Sequence, residues 1–476
     1  MRFLDREQEL ERLDSLAQDG EGGLAAIYGR RRLGKTRLLV EWSQRHGGVY
    51  CVADQSAAAV QRRWVSSAVA ARLPGFDEIE YPDWRTLLSR FAREAQTAGY
   101  RGPFILDEFP YFVLSAPELP SILQNWIDHE ARQARLSVAI AGSSQRMMQG
   151  WVLAPDAPLY GRAREVLPIQ PLAVDLLSSV FELRSMQSLV ETWVAWGGVP
   201  RYWELAAPGA ESITAAIDRL VLDPLAPLHR EPDRILLEEV PAAAEVRPVL
   251  DVIGTGAHRV SEIAGRLGRP ATSLARPLDR LLGLGLARRE VPFGESEKVA
   301  RRSLYRIDDP FFRMWFRVVA PNRGLLAVAT RAERLAVLER HWTGLSAETF
   351  EELVRARLPH LSRSSALGKH GPFATGSRWW RGSDPEWDVV SESEDGVLLL
   401  GEVKWSARSL GRESIAAAVG RLATRAPPAL PRRFAQHRPI RVLFVASLQS
   451  GVPRRFGDVL VVTADQFLGH ISRRRS

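Results

Sequence analysis

Apolar residues arrive in short unbroken runs along the first 170 positions, at 24–28, 49–52, 104–106 and 137–141. Each run gives way to a loop and then to apolar residues at helical spacing. A strand buried on both faces reads as a continuous apolar run, and helices between such strands are the crossovers of a parallel sheet. The pattern therefore predicts an α/β layer over 1–172. Over 173–240 the spacing is helical, and over 241–320 it predicts three helices followed by two short strands. Pro321-Asn322-Arg323-Gly324 breaks the pattern and marks an expected boundary. Over 321–476 come helices, strands at 387–390 and 397–403, a further helix, and strands at 442–445 and 459–462. This last stretch predicts a second, smaller α/β domain.

The first loop of the α/β layer holds the most specific chemistry. Gly29-Arg30-Arg31-Arg32-Leu33-Gly34-Lys35-Thr36 fits the P-loop pattern G-x-x-x-x-G-K-[ST], between a strand and the start of a helix. Glycines let backbone amides curl around phosphate oxygens, and the helix N-terminus adds partial positive charge. Lys35 is placed to reach β- and γ-phosphates, and Thr36 to offer a hydroxyl to Mg²⁺. The expected nucleotide contacts are Gly29, Arg30, Arg31, Arg32, Leu33, Gly34, Lys35, Thr36 and Arg37. The strand 104–106 ends in Asp107 and Glu108, about 70 residues after the P-loop. Asp107 is expected to hold Mg²⁺ through water, and Glu108 to orient or deprotonate the attacking water. The next strand ends in Gly142-Ser143-Ser144-Gln145. Ser144 is a candidate sensor of the γ-phosphate, with N-capping by Ser143 or Ser144 as the alternative.

Further motifs accompany these: Phe3-Leu4-Asp5-Arg6-Glu7-Gln8-Glu9-Leu10, Leu159-Tyr160-Gly161-Arg162 and Gly197-Gly198-Val199-Pro200-Arg201-Tyr202. In type and order the set resembles the archaeal, STAND-related AAA+ ATPases over the first 205 residues. The resemblance implies a P-loop NTPase sheet with a helical lid over 173–240, and ATP with Mg²⁺ as cofactor. It implies that Phe3 to Glu7 sit near the adenine and that 197–202 close over the nucleotide. It also implies an arginine finger or in-cis sensor at Arg162, since a guanidinium fork suits a transferring phosphoryl group. Arg164 competes for that role, and a surface salt bridge is the bland alternative for Arg162.

Val260–Leu267, the turn Gly268-Arg269-Pro270-Ala271 and residues 272–284 predict a helix–turn–helix, with wing strands at 285–291 and 303–307. Arg269, Arg276, Arg280, Arg288, Arg289, Arg301 and Arg302 would meet DNA phosphates if the last helix entered a major groove. Pro277 removes a backbone donor there, which only a first turn tolerates. In the resembled family this module also serves as an internal lid or protein contact, so both readings stand. Phe311, Phe312, Trp315 and Phe316 read as core.

Near the C-terminus, Glu386-Trp387-Asp388 precedes Glu402-Val403-Lys404. On a strand Glu402 and Lys404 share a face, and Asp388 on the adjacent strand lies opposite. Asp388 and Glu402 would bind Mg²⁺ or Mn²⁺, the metal would activate water against a phosphodiester, and Lys404 would steady the developing charge. A cross-strand salt bridge is the alternative. With their flanking strands these residues resemble the PD-(D/E)XK nuclease core, and the tail resembles the domain of unknown function that follows such ATPases. Among Glu348, Glu351 and Glu352, Glu351 best fits that core's extra acid.

Composition sharpens one point. Of 64 Lys+Arg in 476 residues, the lysines are Lys35, Lys298, Lys369 and Lys404; the rest are arginine. Lysine is a compact point charge and arginine a planar fork. Two of the four lysines stand in the P-loop and the E-x-K strand, while Lys298 and Lys369 fall in polar loops. The net charge of +8 permits a nucleic-acid partner or a solvated arginine surface alike. A single cysteine, Cys51, excludes a disulfide framework and a thiolate metal cluster. No apolar run approaches the roughly 18 residues of a membrane span, and the N-terminus lacks a secretory core. A cytoplasmic protein without a membrane partner is expected.

The expected protein couples ATP hydrolysis to a winged helix and a metal-dependent, nuclease-like domain acting on nucleic acid, DNA before RNA. The alternative is a STAND-like signalling or transcriptional regulator with a non-catalytic C-terminal domain. A homo-oligomer and an autoinhibited monomer both remain open.

Overall fold

The computed structural model describes residues 4–143, 148–209, 212–239, 243–296, 298, 302–434 and 436–469. The chain divides into two compact units. The first comprises Met1–Leu172 and Val199–Arg201, and the second Ala173–Gly198 and Tyr202–Ser476.

The first unit is a parallel sheet with helical crossovers. Its elements run α1 (Glu7–Gln18), β1 (Gly23–Tyr28), α2 (Lys35–His46), β2 (Val49–Val52), α3 (Ala58–Ala70), α4 (Trp84–Ala98) and β3 (Phe104–Asp107). There follow α5 (Phe109–Ser115), α6 (Leu119–Trp126), β4 (Ser137–Gly142) and β5 (Ala163–Pro168). The strand order is β2-β3-β4-β1-β5, with every pair parallel. Leu24, Ala26, Phe104, Leu106 and Ile140 are fully buried against Trp84, Phe91 and other side chains of the flanking helices. The four apolar runs match the strands expected from the apolar pattern, β2 standing at one edge. β5 is an addition: Ala163-Arg164-Glu165-Val166-Leu167-Pro168 stands at the sheet edge, where Arg164 reaches solvent. Parallel register puts the loop after β1 and the acidic end of β3 at the same carboxyl edge, where ligands of open α/β sheets bind.

In the second unit, helices Ala243–Gly254, Val260–Leu267 and Ala275–Gly283 lead into an antiparallel hairpin of β6 (Ala287–Glu290) and β7 (Leu304–Ile307). Pro277 is the third residue of its helix, where the missing N–H would have had no intrahelical partner. Phe311, Phe312, Trp315 and Phe316 are fully buried on helix Pro310–Val318. Pro321–Gly324 falls in two short helical turns within this unit, Ala320–Asn322 and Arg323–Leu326.

Beyond them, Thr330 and Glu333 form a capping box that starts the long helix Arg331–Arg357. A mixed sheet follows, made of β8 (Ser377–Trp379), β9 (Trp387–Glu392), β10 (Val397–Lys404), β11 (Arg438–Val445), β12 (Arg455–Phe456) and β13 (Val459–Thr463). Its order is β12-β13-β11-β10-β9-β8; β10, β11 and β13 are mutually parallel and the remaining pairs antiparallel. Ile415, Ala418 and Leu422 of helix Arg412–Thr424 pack with Val390, Leu400 and Leu443 of the sheet. Among the described residues no helix is long and apolar enough to cross a membrane.

Candidate functional site

β1 delivers the chain into a loop that only glycine can make at two positions. Gly29 has φ +152° and Gly34 φ +92°, and a Cβ on Gly29 would lie 2.5 Å from the Ile169 carbonyl oxygen. Lys35 opens α2, and its Nζ donates to the carbonyls of Gly29 (2.7 Å) and Arg30 (3.0 Å). The ammonium is folded back into the loop's own concavity. Thr36 and Arg37 are exposed on the first turn of α2, while Leu33 is buried. Arg31 donates to the Tyr111 hydroxyl at 3.0 Å, and Arg32 takes a left-handed φ of +69°.

Across the carboxyl edge, Asp107 is 1% exposed and accepts three hydrogen bonds. Thr36 Oγ1 donates to its Oδ2 at 2.8 Å, the Tyr50 hydroxyl to the same oxygen at 2.7 Å, and Glu108 N–H to Oδ1 at 2.8 Å. Burial, and then the Asp107 charge, push the Tyr50 phenol well above its ordinary range, so it serves as donor. Glu108 adopts φ +52°, a left-handed conformation for a non-glycine residue. Such strain costs on the order of 1–3 kcal/mol and clusters at functional sites.

Arg6, part of the N-terminal motif, makes contacts that the sequence did not announce. It is 5% exposed and its guanidinium donates to Leu33 O (3.1 Å) and Gln170 O (2.6 Å), bracing the P-loop against the chain after β5. Pro200 comes to 4.0 Å from the place of a Cβ on Gly34. Phe3 and Ser144 lie outside the described residues.

Arg162 requires a correction. β5 runs parallel to β1, so Arg162, just before its first residue, stands at the edge opposite the P-loop. Six residues of strand at about 3.3 Å each put roughly 20 Å between them. There it pairs with Asp128 and donates to the carbonyls of Pro158 and Tyr160. An in-cis sensor role is excluded. Arg164, the second residue of β5, turns to the same edge, where it pairs with Asp19 and donates to the Gly22 carbonyl.

Residues 3–205 match the family described as an ATPase domain predominantly from Archaea. The N-terminal part of this chain is similar to that ATPase domain. Residues 315–415 match a second family, archaeal and bacterial proteins of unknown function. The uncharacterized protein MJECL04 of Methanocaldococcus jannaschii is 27% identical over 405 residues, 85% of this chain and 87% of that protein. The Walker-type ATPase PABY2304 of Pyrococcus abyssi shares the fold, with a TM-score of 0.53 and 18% identity. That likeness covers 66% of this chain and 96% of the Pyrococcus chain.

In the second unit, the C-terminal acids are engaged otherwise than as a cation site. Asp388 Oδ2 accepts from Val403 N–H at 2.9 Å, which fixes the start of β9 against the end of β10. Glu351, on the long helix, is near enough to sense Asp388: burial first, then that carboxylate, push its carboxyl up to about 7. Glu402 and Lys404 share one face of β10 by alternation. Glu402, however, is ion-paired with Arg425, whose guanidinium also lies 5.2 Å from the centre of the Trp387 ring and donates to Glu386 O. Among the described residues no group of three His, Cys, Asp or Glu is arranged to hold a metal ion. Arg425 supplies positive charge where a cation was expected, and nothing local in the sequence announces it. Lys298 and Lys369 are exposed.

The wing arginines also stand differently from expectation. Arg288 and Arg306 face each other across the hairpin, a like-charge pairing that needs compensation. Glu290, Glu348 and Glu352 provide it: Arg288 pairs with Glu290 and Glu352, and Arg306 with Glu290 and Glu348. Arg313, 2% exposed, joins through Glu352. Arg280 pairs with Glu245, Arg302 with Glu295, and Arg289 donates to Ser303. Arg269 and Arg276 remain on the exposed surface, and Arg301 lies outside the described residues.

Proposed function

We propose that the protein hydrolyses ATP and uses nucleotide state as a conformational switch. The observation that carries this reading is the convergence of Lys35, Thr36, Asp107 and Glu108 at the carboxyl edge of the parallel sheet. Mg²⁺ fits there, because the Thr36 hydroxyl and the Asp107 carboxylate, 2.8 Å apart, are hard oxygen donors. When bound, the ion supplies charge neutralisation to the β- and γ-phosphates. Lys35 leaves the Gly29 and Arg30 carbonyls for phosphate oxygens, and the loop amides from Gly29 to Thr36 cradle the rest. Glu108 takes a proton from the attacking water or orients it, and Ser144 is assigned the γ-phosphate sensor. Val199–Arg201 belongs to the first unit while the chain on either side belongs to the second. That segment is the route proposed for passing nucleotide state onward. Phosphate release that survives in a Lys35→Ala protein at the wild-type rate would remove the reading.

For the second unit, the pairing of Glu402 with Arg425 favours recognition of a partner over cleavage. The C-terminal acids do not fit a cation as they are placed, and no cleavage step is derived from them. Exposed Arg269 and Arg276 make nucleic acid the proposed partner, through phosphate contacts. Incubation with plasmid and single-stranded DNA under Mn²⁺ and ATP tests the choice. Nicking by the wild type that both Asp388→Ala and Lys404→Ala abolish would restore the nuclease reading.

A further inference from the structure

Tyr50 lies outside every motif of the nucleotide site, yet it makes the shortest of the three hydrogen bonds to Asp107. Its placement follows from register. β2 pairs in parallel with β3, with Tyr50 beside Ile105 and Val52 beside Asp107. Side chains two residues apart on a strand share a face, so Tyr50 stands on the face of Asp107 but one pleat, roughly 6.6 Å, behind it. A tyrosine is long enough to cover that step and deliver a hydroxyl. Phenylalanine would fill the same space and deliver nothing.

We propose that Tyr50 is a positioning residue for the Mg²⁺ end of the nucleotide site. The inference rests on the ATPase reading above. A carboxylate has about four acceptor positions. On Oδ2 of Asp107 one is taken by Tyr50 and one by Thr36, and on Oδ1 one is taken by Glu108 N–H. With Oδ2 held from two sides, the carboxylate cannot rotate about its terminal bond. Thr36 can then keep its proton on Asp107 while its oxygen lone pairs face the ion. The position left on Oδ1 suits a water of the ion's shell. Tyr50 thereby keeps Asp107 an acceptor from ion-bound water instead of a direct ligand.

Removing the hydroxyl should weaken Mg²⁺-dependent binding while leaving metal-free binding intact. The test compares wild type, Tyr50→Phe and Asp107→Asn in binding a fluorescent ADP analogue, in EDTA and across a Mg²⁺ titration. For Tyr50→Phe the expected result is about a tenfold rise in the Mg²⁺ concentration at half-effect, the size of one hydrogen bond to a charged group. Affinity in EDTA should stay at the wild-type value. A general packing role would lower affinity in EDTA as much as in Mg²⁺, and that outcome overturns the proposal. A wild-type Mg²⁺ titration in Tyr50→Phe, with a shifted one in Asp107→Asn, overturns it too and leaves the ATPase reading intact. Failure of the wild type to bind the nucleotide with Mg²⁺ would instead sink the ATPase reading itself.

Discussion

Arg288 separates an internal role for the β6–β7 hairpin from a DNA-contacting one. Its side chain is 25% exposed and donates to Glu290 (2.9 Å), Asp308 (3.1 Å) and Glu352. Arg288→Met keeps a long flexible stem and removes the charge and the bonds to all three carboxylates. No carboxylate is then left buried alone. Glu290 retains Arg306, Glu352 retains Arg313, and Asp308 is half exposed. The cost therefore falls between the ~0–1 kcal/mol of a solvated pair and the ~3–5 kcal/mol of breaking a buried one, near 2 kcal/mol. Urea unfolding of the full chain measures it. DNA binding by fluorescence anisotropy at two salt concentrations is run beside it. The expected outcome is a lower unfolding midpoint with unchanged DNA affinity and salt slope. Unchanged stability, with the salt slope reduced by about one, would show that Arg288 contacts a phosphate and refute the internal role.

The same cluster makes the second unit sensitive to acid. Burial would raise the Glu290 carboxyl, but Arg288, Arg355 and Arg306 outweigh it and hold the group at about 2, against an ordinary 4.5. A depressed carboxylate stabilises the fold above its unfolded value, and that stability is lost as pH falls from about 4.5 through about 2. The contribution at neutral pH is roughly 3 kcal/mol, and circular dichroism against pH should show it shrink in Arg306→Met; an identical acid transition would count against the assignment. Arg6→Ala should lower ADP affinity about tenfold through loss of the brace on Leu33, and unchanged binding would reject that brace. Glu108→Gln should bind ATP like the wild type and turn it over at least about 100-fold more slowly; wild-type turnover would remove Glu108 from the chemistry.

What the sequence discloses here follows the range of the interactions. Lys35, Thr36, Asp107 and Glu108 are legible because a loop and two strand ends fix them, each within a few residues. β1, β3 and β4 are legible because burial on both faces demands unbroken apolar runs, and β2, at the far edge, because Val49-Tyr50-Cys51-Val52 is still a run of strand-forming residues. β5 escapes for the opposite reason: an edge strand carries Arg164 and Glu165 where solvent admits them. β8 and β12, three and two residues long, are too short for a period to show. Tyr50, Arg6 and Arg425 act on partners 57, 27 and 23 positions away, and only the folded chain brings those pairs together. The wing arginines show the same limit. Basic residues on a helix–turn–helix hairpin suggest DNA, yet Glu348 and Glu352, supplied by the long helix, claim them first.

Steady-state phosphate release by the full chain with ATP and Mg²⁺ tests the central claim most directly, wild type against Lys35→Ala. The account predicts measurable turnover in the wild type and its loss in a variant that keeps the wild-type thermal midpoint. Equal turnover in both proteins, or none in a wild type that binds ATP, would contradict it.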